Sequence, residues 1–291
     1  MIIKIDELTA LQTQYYLHHL VAPRPIALSS TIDAEGNVNL SPFSFFNVFS
    51  VDPPIVIFSV VRRLRNNTDK HTLENLQQVP EVAISIVTYN IAHQVNISGH
   101  EYPKSTNEFI KAGFTEKIAT MIRPPIVAEA KASLECKVKA IHSLGTKGGA
   151  GQLVIAQVLC IHIDNELIDE ENKILHEKLD LVARLGSDKY ARISAENMFS
   201  MENPHKSTGI GLDMLPQNIR CSSILTGNHL AQLANVSVLP QADENFKDER
   251  LEALQHYLKG NKIADRIHTY AKELIDEGKI LQAWQVLLDD K

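Results

Sequence analysis

Cysteine is scarce in this chain of 291 residues: Cys136, Cys160 and Cys221 are the three, far apart in sequence. They form no CxxC pair, and an odd number cannot pair fully within one chain, which argues against a disulfide framework. Free thiols in a reducing compartment are the expectation. Long apolar runs are missing as well. No stretch reaches the roughly 18 apolar residues of a membrane span. Lys4, Asp6 and Glu7 interrupt the N-terminus before any signal-like run develops. The reading is a cytoplasmic chain with no membrane partner. Basic charge is not in excess, since the formal net charge is −6. That argues against a dedicated nucleic-acid binder, because neutralising phosphates needs a basic surface.

Several signatures of common chemistries are also missing. There is no GxGxxG fingerprint of a Rossmann nucleotide site. Twelve histidines contain no HxxxH or HExxH spacing, so no metal site is expected. The run Gly145-Thr-Lys-Gly-Gly-Ala-Gly151 lacks the terminal Gly-Lys-Ser/Thr of a phosphate loop and leads into a strand, so it reads as a hairpin connection. No internal repeat is evident.

What remains is a chain long enough for one large domain or two ordinary ones. A short helix is expected around Glu7–His18, then strands over Pro25–Ile32 and from Val38 into Phe45, joined by turn residues Asp33–Gly36. Asp52-Pro53-Pro54 interrupts the pattern before a buried strand at Ile55–Val61. Thr68 or Asp69 is placed to cap a helix over Lys70–Gln78, and Glu81–Val87 returns as a strand. Short helices are expected at Asn90–Val95 and Asn107–Ala112. Two long strands, Ala128–His142 and Gln152–Ile163, flank the glycine-rich connection. Without a βαβ rhythm, a barrel is favoured over a Rossmann sheet. From about residue 205 the character becomes helical: Asn228–Leu233, then periodic stretches over Asp248–Lys259 and Lys262–Leu288, with Trp284 read as packing. Two domains are expected, 1–204 and 205–291.

Two segments carry chemistry. Asp69-Lys70-His71-Thr72 opens a helix, where unpaired N–H groups and the helix dipole favour an anion. Lys70 adds a cation and Thr72 a hydroxyl, with Ser59 and Arg62 one strand-end away. An ordinary capped helix with solvated cations would read the same way from this tetrad alone. Ser41-Pro-Phe-Ser-Phe-Phe-Asn47 sets hydrogen-bonding groups beside aromatic faces, which suits a heterocycle with a polar rim. For Phe43, core packing is the simpler reading.

The order and identity of these segments resemble the flavin reductase-like FMN-binding family, the group of flavoredoxins and oxygenase-component flavin reductases. The resemblance rests on RPIALSSTIDAEGNVNLSPFSFFNVFSVDPP at 24–54, the strand ending in Ser59, and DKHT at 69–72. Val95–Gly99, Glu108-Phe109, Pro124-Pro125, Leu134–Lys137, His162–Asp164 and Arg184–Tyr190 extend it over residues 20–200. It implies a mainly β fold, a six-stranded antiparallel split barrel with peripheral helices, to which this chain adds a helical C-terminal extension. It further implies a homodimer with FMN near the subunit interface. By that resemblance, Lys70, Thr72, Ser59 and Arg62 hold the phosphate. Asn39, Ser41, Ser44, Phe45, Phe46 and Asn47 hold the ring, and His162 and Arg184 border the cofactor. From the residues alone, a structural histidine and a surface salt bridge stay open for the last two. The chain departs from the family at His71, where Asp is usual, and at Gly186-Ser187, where two glycines are frequent.

The activity so implied is an FMN-dependent oxidoreductase. It would accept hydride from NADH or NADPH and pass electrons to free flavin, oxygen, a partner oxygenase or another acceptor. A non-catalytic FMN-binding electron carrier is the alternative, and a pyridoxamine-phosphate-oxidase-type flavoenzyme is a third. The SPFSFFN–DPP segment favours the flavin reductase group. Nicotinamide binding has no motif of its own here.

Overall fold

The computed structural model describes residues 1–201, 208–257 and 261–288. Two compact units divide the chain, Met1–Met198 and Phe199–Lys291. The boundary expected near residue 205 and the helix end expected at Lys259 lie outside the described residues.

The first unit starts with a single helical turn at Ile5–Glu7 and helix α1 (Ala10–Leu20). Thr9 sets the start of α1. Its hydroxyl accepts from the Gln12 amide while the Gln12 side chain accepts from the Thr9 amide, a capping box that begins the helix three residues later than its composition suggests. Strands β1 (Ala27–Ile32) and β2 (Val38–Phe43) follow, joined through Gly36 at φ 90°. Then come β3 (Phe46–Val51), β4 (Pro54–Val61), α2 (His71–Gln78) and β5 (Glu81–Ile86). Helices α3 (Ala92–Ser98) and α4 (Glu108–Ala112) precede a short ladder of β6 (Glu116–Lys117) and β7 (Ile126–Val127). The hairpin β8 (Ala132–Ser143) and β9 (Gly151–Ile163), helix α5 (His176–Leu179), and the ribbon β10 (Leu181–Arg184) with β11 (Tyr190–Ile193) complete the unit.

One seven-stranded sheet runs β2-β1-β5-β8-β9-β4-β3, with every adjacent pair antiparallel. β2 and β3 are consecutive in sequence but lie at opposite edges of that order. Only Ser44 and Phe45 separate them, so the sheet must curl until its edges meet. Across this closure the Phe43 ring of β2 meets the Phe58 ring of β4 at 5.5 Å, while the Ser59 amide, donating to the Phe45 carbonyl at 2.8 Å, extends the β3–β4 ladder. The result is a split barrel. It has seven strands rather than six because 46–51 continues as β3, where Asp52-Pro53 reads in sequence as the end of strand structure.

Phe43, Phe58, Val154 and Ala156 fill the barrel together with Leu73 and Leu76 of α2. A second cluster of Leu28, Leu40, Val95 and Phe109 lies where α3 and α4 pack on β1 and β2. All six residues of β1 are buried. The glycine-rich connection joins β8 to β9 as an antiparallel hairpin. A Cβ at Gly148 would lie 3.0 Å from the Leu64 carbonyl, so the hairpin tip packs backbone to backbone against the turn after β4.

The second unit is helical: α6 (Gln217–Arg220), α7 (Gly227–Ala234), α8 (Glu249–Tyr257), α9 (Asn261–Asp276) and α10 (Ile280–Leu288). The periodicity over 262–288 suggests one helix, but the chain breaks at Gly278, φ 76°. There the amides of Gly278 and Lys279 donate back to Ile275 and Leu274, a left-handed cap that glycine alone adopts cheaply. Leu233, Ile267, Leu274, Trp284 and Leu287 form its core. No helix among the described residues is long and apolar enough to cross a membrane.

Candidate functional site

Three cavities lie along the β2–β3 junction and the start of α2, and a fourth lies between α3 and the β10–β11 ribbon, all lined by the first unit. The deepest in chemical interest is a cleft of about 550 Å³ walled by Phe43, Ser44 and Phe45, with Ser59, Val61 and Lys70 at one end. Gly148 and Gly149 of the hairpin and the inner face of α1 close it. Phe45 is 40% exposed, held edge-on to His18 at 5.3 Å and 6.0 Å from the Arg24 guanidinium. Arg24 is itself fixed by the carbonyls of His18, Val21 and Leu185. The aromatic wall is therefore anchored from behind.

At the Lys70 end the polar groups converge. Helix α2 has Lys70 in the capping position, extended at φ −86°, and no side chain caps the first turn. The expected caps are engaged elsewhere: Thr68 bonds Asn66, and Asp69 accepts from Arg62 at 2.5 Å. Lys70 rests 5.2 Å from the Phe43 ring centre. Burial lowers its pKa, and Arg63 nearby lowers it further. Among the described residues the ammonium has neither a hydrogen-bond nor an ion-pair partner. Glu101 offsets this only at a distance, and a partly desolvated cation without a direct partner is costly, an environment that an anion would relieve.

A small polar recess beside it gathers Asn39, Ser41, Arg63, Lys70, His71 and Thr72, along with Glu101 and Glu108. The register explains why. Asn39 lies opposite Thr31 and Ser41 opposite Ser29, so both β2 side chains face α2. Asn39 Nδ2 donates to Thr72 Oγ1 at 3.0 Å, leaving that hydroxyl's own proton available. Burial raises the Glu108 pKa, opposed by the hydrogen bond from the Leu40 amide at 2.9 Å.

Of the residues expected to hold a ligand, Asn39, Ser41, Lys70 and Thr72 share this recess, while Ser44, Phe45, Ser59 and Lys70 share the cleft. Ser44 and Arg184 line an adjoining cavity of about 270 Å³. Four others line none of these cavities. Phe46 packs on the barrel core. Asn47 is exposed on β3 and accepts from the Val48 amide. Arg62 is bound into its own turn by Asn67 and Asp69. His162 is bonded to the buried Glu135.

Arg63, rather than the expected Arg62, lines the recess, a placement that strand period would have found. Alternation along β4 sends Ser59 and Val61 to the cleft, and the same parity continues to Arg63, not Arg62. Glu101 was not foreseen. It pairs with Arg63 at 3.3 Å and Arg65 at 3.1 Å and reaches the recess only because the loop after α3 folds back.

The cleft meets the 270 Å³ cavity at Pro42 and Ser44, and that cavity shares Arg184 and Tyr190 with an outer one of about 570 Å³. Arg184 stacks on Tyr190 at 4.3 Å, and Arg192 on Tyr89 at 4.0 Å. The guanidinium of Arg184 donates to the Ser187 carbonyl. Ser187 has φ 50°. Gly186 lies against His19, with no room for a Cβ.

Comparison with known proteins adds four findings. Residues 19–180 match the model of the flavin reductase like domain. A relative from Halalkalibacterium halodurans is 33% identical over 68% of this chain and 94% of its own. Nitrilotriacetate monooxygenase component B from Bacillus cereus superposes with a TM-score of 0.65 at 26% identity, covering 69% of this chain and 98% of that one. The 2-nitrobenzoate 2-nitroreductase of Pseudomonas fluorescens does so at 0.63 and 26%, covering 75% and 99%. The second unit lies outside the matched domain.

Proposed function

Because the chain belongs to the flavin reductase-like family, we propose that it binds FMN and reduces it with NADH or NADPH. The observation that carries the choice of FMN is Lys70, a half-buried cation that no carboxylate contacts directly among the described residues, beside an uncapped helix start. A phosphate there gains charge-assisted bonds from Lys70, Arg63 and Thr72 and accepts the open amides of α2. The aromatic cleft, at about 550 Å³, lies within the roughly 300–1,000 Å³ usual for cofactor sites. Asn39 and Ser41 line the recess beside Lys70, where a hydroxylated chain next to the phosphate would find partners.

The bound flavin supplies the redox chemistry. The protein's part is placement and electrostatics. Lys70 and Arg63 fix the phosphate charge, while Phe43 and Phe45 cover apolar ring surface and exclude water. Backbone amides in the 41–47 segment offer hydrogen bonds where negative charge grows on reduction. No ionisable side chain acts as acid or base in this reading. The cavities that open from Ser44 toward Arg184 and Tyr190 give a second planar molecule access, which supports a reductase over a closed electron carrier.

Free flavin, oxygen or a partner oxygenase is the proposed electron acceptor, in keeping with the similarity to a monooxygenase component. A homodimer is proposed as well: Val48, Phe49 and Val51 expose an apolar edge on β3, which a second copy would cover. Anaerobic mixing of the FMN-loaded protein with NADH and with NADPH tests the reductase reading. Visible flavin absorbance should bleach with one or both. Tight FMN binding with no bleaching by either would leave a carrier.

A further inference from the structure

Away from the cleft, three different donor side chains meet on one face of the β8–β9 ladder. Glu135 lies directly opposite Cys160, and His162, two residues further along β9, shares the Cys160 face. The register slips between Glu135 and Cys136, so that Cys136 pairs with Val158 and Leu159 is the extra residue. A bulge of this kind re-aims the side chains beside it. Cys160 Sγ is 3.9 Å from His162 Nε2, and His162 Nε2 is bonded to a Glu135 carboxylate oxygen. All three donor atoms lie within 4.8 Å of one another.

We propose that Glu135, Cys160 and His162 bind one divalent transition-metal ion of the zinc class. The donor set is one thiolate, one imidazole and one carboxylate, which suits zinc or cobalt and neither magnesium nor calcium. Tetrahedral zinc with ordinary Zn–S and Zn–N bonds sets sulfur and nitrogen about 3.6 Å apart, close to the separation found here. The carboxylate is already oriented. Glu135 is fully buried, and its two oxygens accept from the amides of Thr120 and Met121 at 2.7 and 2.6 Å. Such outer bonds fix a ligand's direction and still leave lone pairs for a metal. Cys160 and His162 are part-exposed, which gives the ion an entry path and leaves the fourth position to water. On binding, the metal replaces the proton shared by His162 and Glu135, which leaves or moves to Nδ1, and it displaces the thiol proton of Cys160. Affinity therefore falls as pH is lowered.

Cobalt titration of the full-length protein is the test. One equivalent of Co²⁺ should produce a thiolate-to-metal charge-transfer band that Zn²⁺ abolishes by displacement. Cys160→Ser should lose the band and weaken Zn²⁺ binding at least ~10-fold, whereas Cys136→Ser and Cys221→Ser should keep both. A band absent from the wild type, or retained by Cys160→Ser, overturns the proposal. Alkylation of the unsubstituted protein, mapped by peptide mass, reads the same contact without a variant: Zn²⁺ should protect Cys160 and leave Cys221 reactive. Equal labelling with and without Zn²⁺ also overturns it. FMN affinity should be unchanged by Cys160→Ser, so the metal and flavin readings fail separately.

Discussion

The two units solve the problem of burying a chain in opposite ways. The helical unit encloses an apolar core and gives its buried polar groups partners: Trp284 Nε1 donates to the Leu233 carbonyl at 3.1 Å, and Tyr270 donates to Asp248 at 2.7 Å. The barrel leaves polar groups unserved. Among the described residues, Lys70 has no direct ion-pair or hydrogen-bond partner, and Ser29 Oγ, Ser30 Oγ and Arg24 Nε are buried without a hydrogen bond. All the cavities described belong to it. Unserved polarity costs stability, so its concentration in one unit separates the part that binds from the part that packs.

Substitution in the closed core should have the largest effect. Trp284→Ala removes a fully buried ring and should destabilise the helical unit by about 3–5 kcal/mol, read as a lost or lowered thermal transition. FMN affinity should hold. Its loss in the same variant would break the division of labour. Lys70→Ala comes next, with an expected cost of roughly 1.5–3 kcal/mol of FMN affinity, about ten- to a hundredfold. Riboflavin, which has no phosphate, should bind as before. Equal losses for both would mean that Lys70 supports the fold rather than the phosphate.

The same residue fixes a pH dependence. Its folded-state pKa is lowered by burial and by Arg63, so as pH rises the ammonium is lost before that of an ordinary lysine. FMN affinity should decline through that alkaline window, and riboflavin affinity should stay level. The ligand-free protein should gain stability over the same window, because the buried charge is being removed. A flat FMN profile up to the usual lysine range would place the phosphate away from Lys70.

The smallest effect has the less familiar sign. Glu101 is 53% exposed at its side chain and occupies Arg63. Glu101→Gln removes the competing carboxylate while Arg63 keeps its bonds to Thr68 Oγ1 and the Asp69 carbonyl, and should strengthen FMN binding by up to about fivefold, the scale of an exposed ion pair. Isothermal titration resolves it. Weaker binding would mean that Glu101 holds Arg63 in position rather than competing for it.

Much of the barrel side was legible because its signals are local. The turn at Gly36, the strands on either side, the α2 region and the glycine-rich hairpin each follow from a few neighbouring residues. The phosphate-end residues Lys70 and Thr72 follow from a helix start. Phe46, Asn47 and Arg62 line none of these cavities: on β3 Phe46 turns to the barrel core and Asn47 to the exposed face, while Arg62 has the opposite strand parity to Ser59 and Val61. β3 was hidden because Asp52-Pro53 marks a turn in sequence without saying that a strand precedes it. Gly278 was read as part of a helix because apolar spacing continues on both sides of it.

By itself the sequence determined a strand-rich unit with an antiparallel hairpin, a helical tail and a helix start that favours an anion, since these depend on composition and on contacts within a turn or two. Only the tertiary structure decided which charges go uncompensated. Lys70 is an ordinary lysine until Phe43 and the curled sheet strip its water away. Arg62 and Arg63 are alike until one is bound by Asp69 and the other faces the recess. Glu135, Cys160 and His162 meet only through a bulged register between strands 27 residues apart in the chain at Glu135 and His162. Desolvation and cross-strand register are properties of the folded surface, and no spacing rule along the chain carries them.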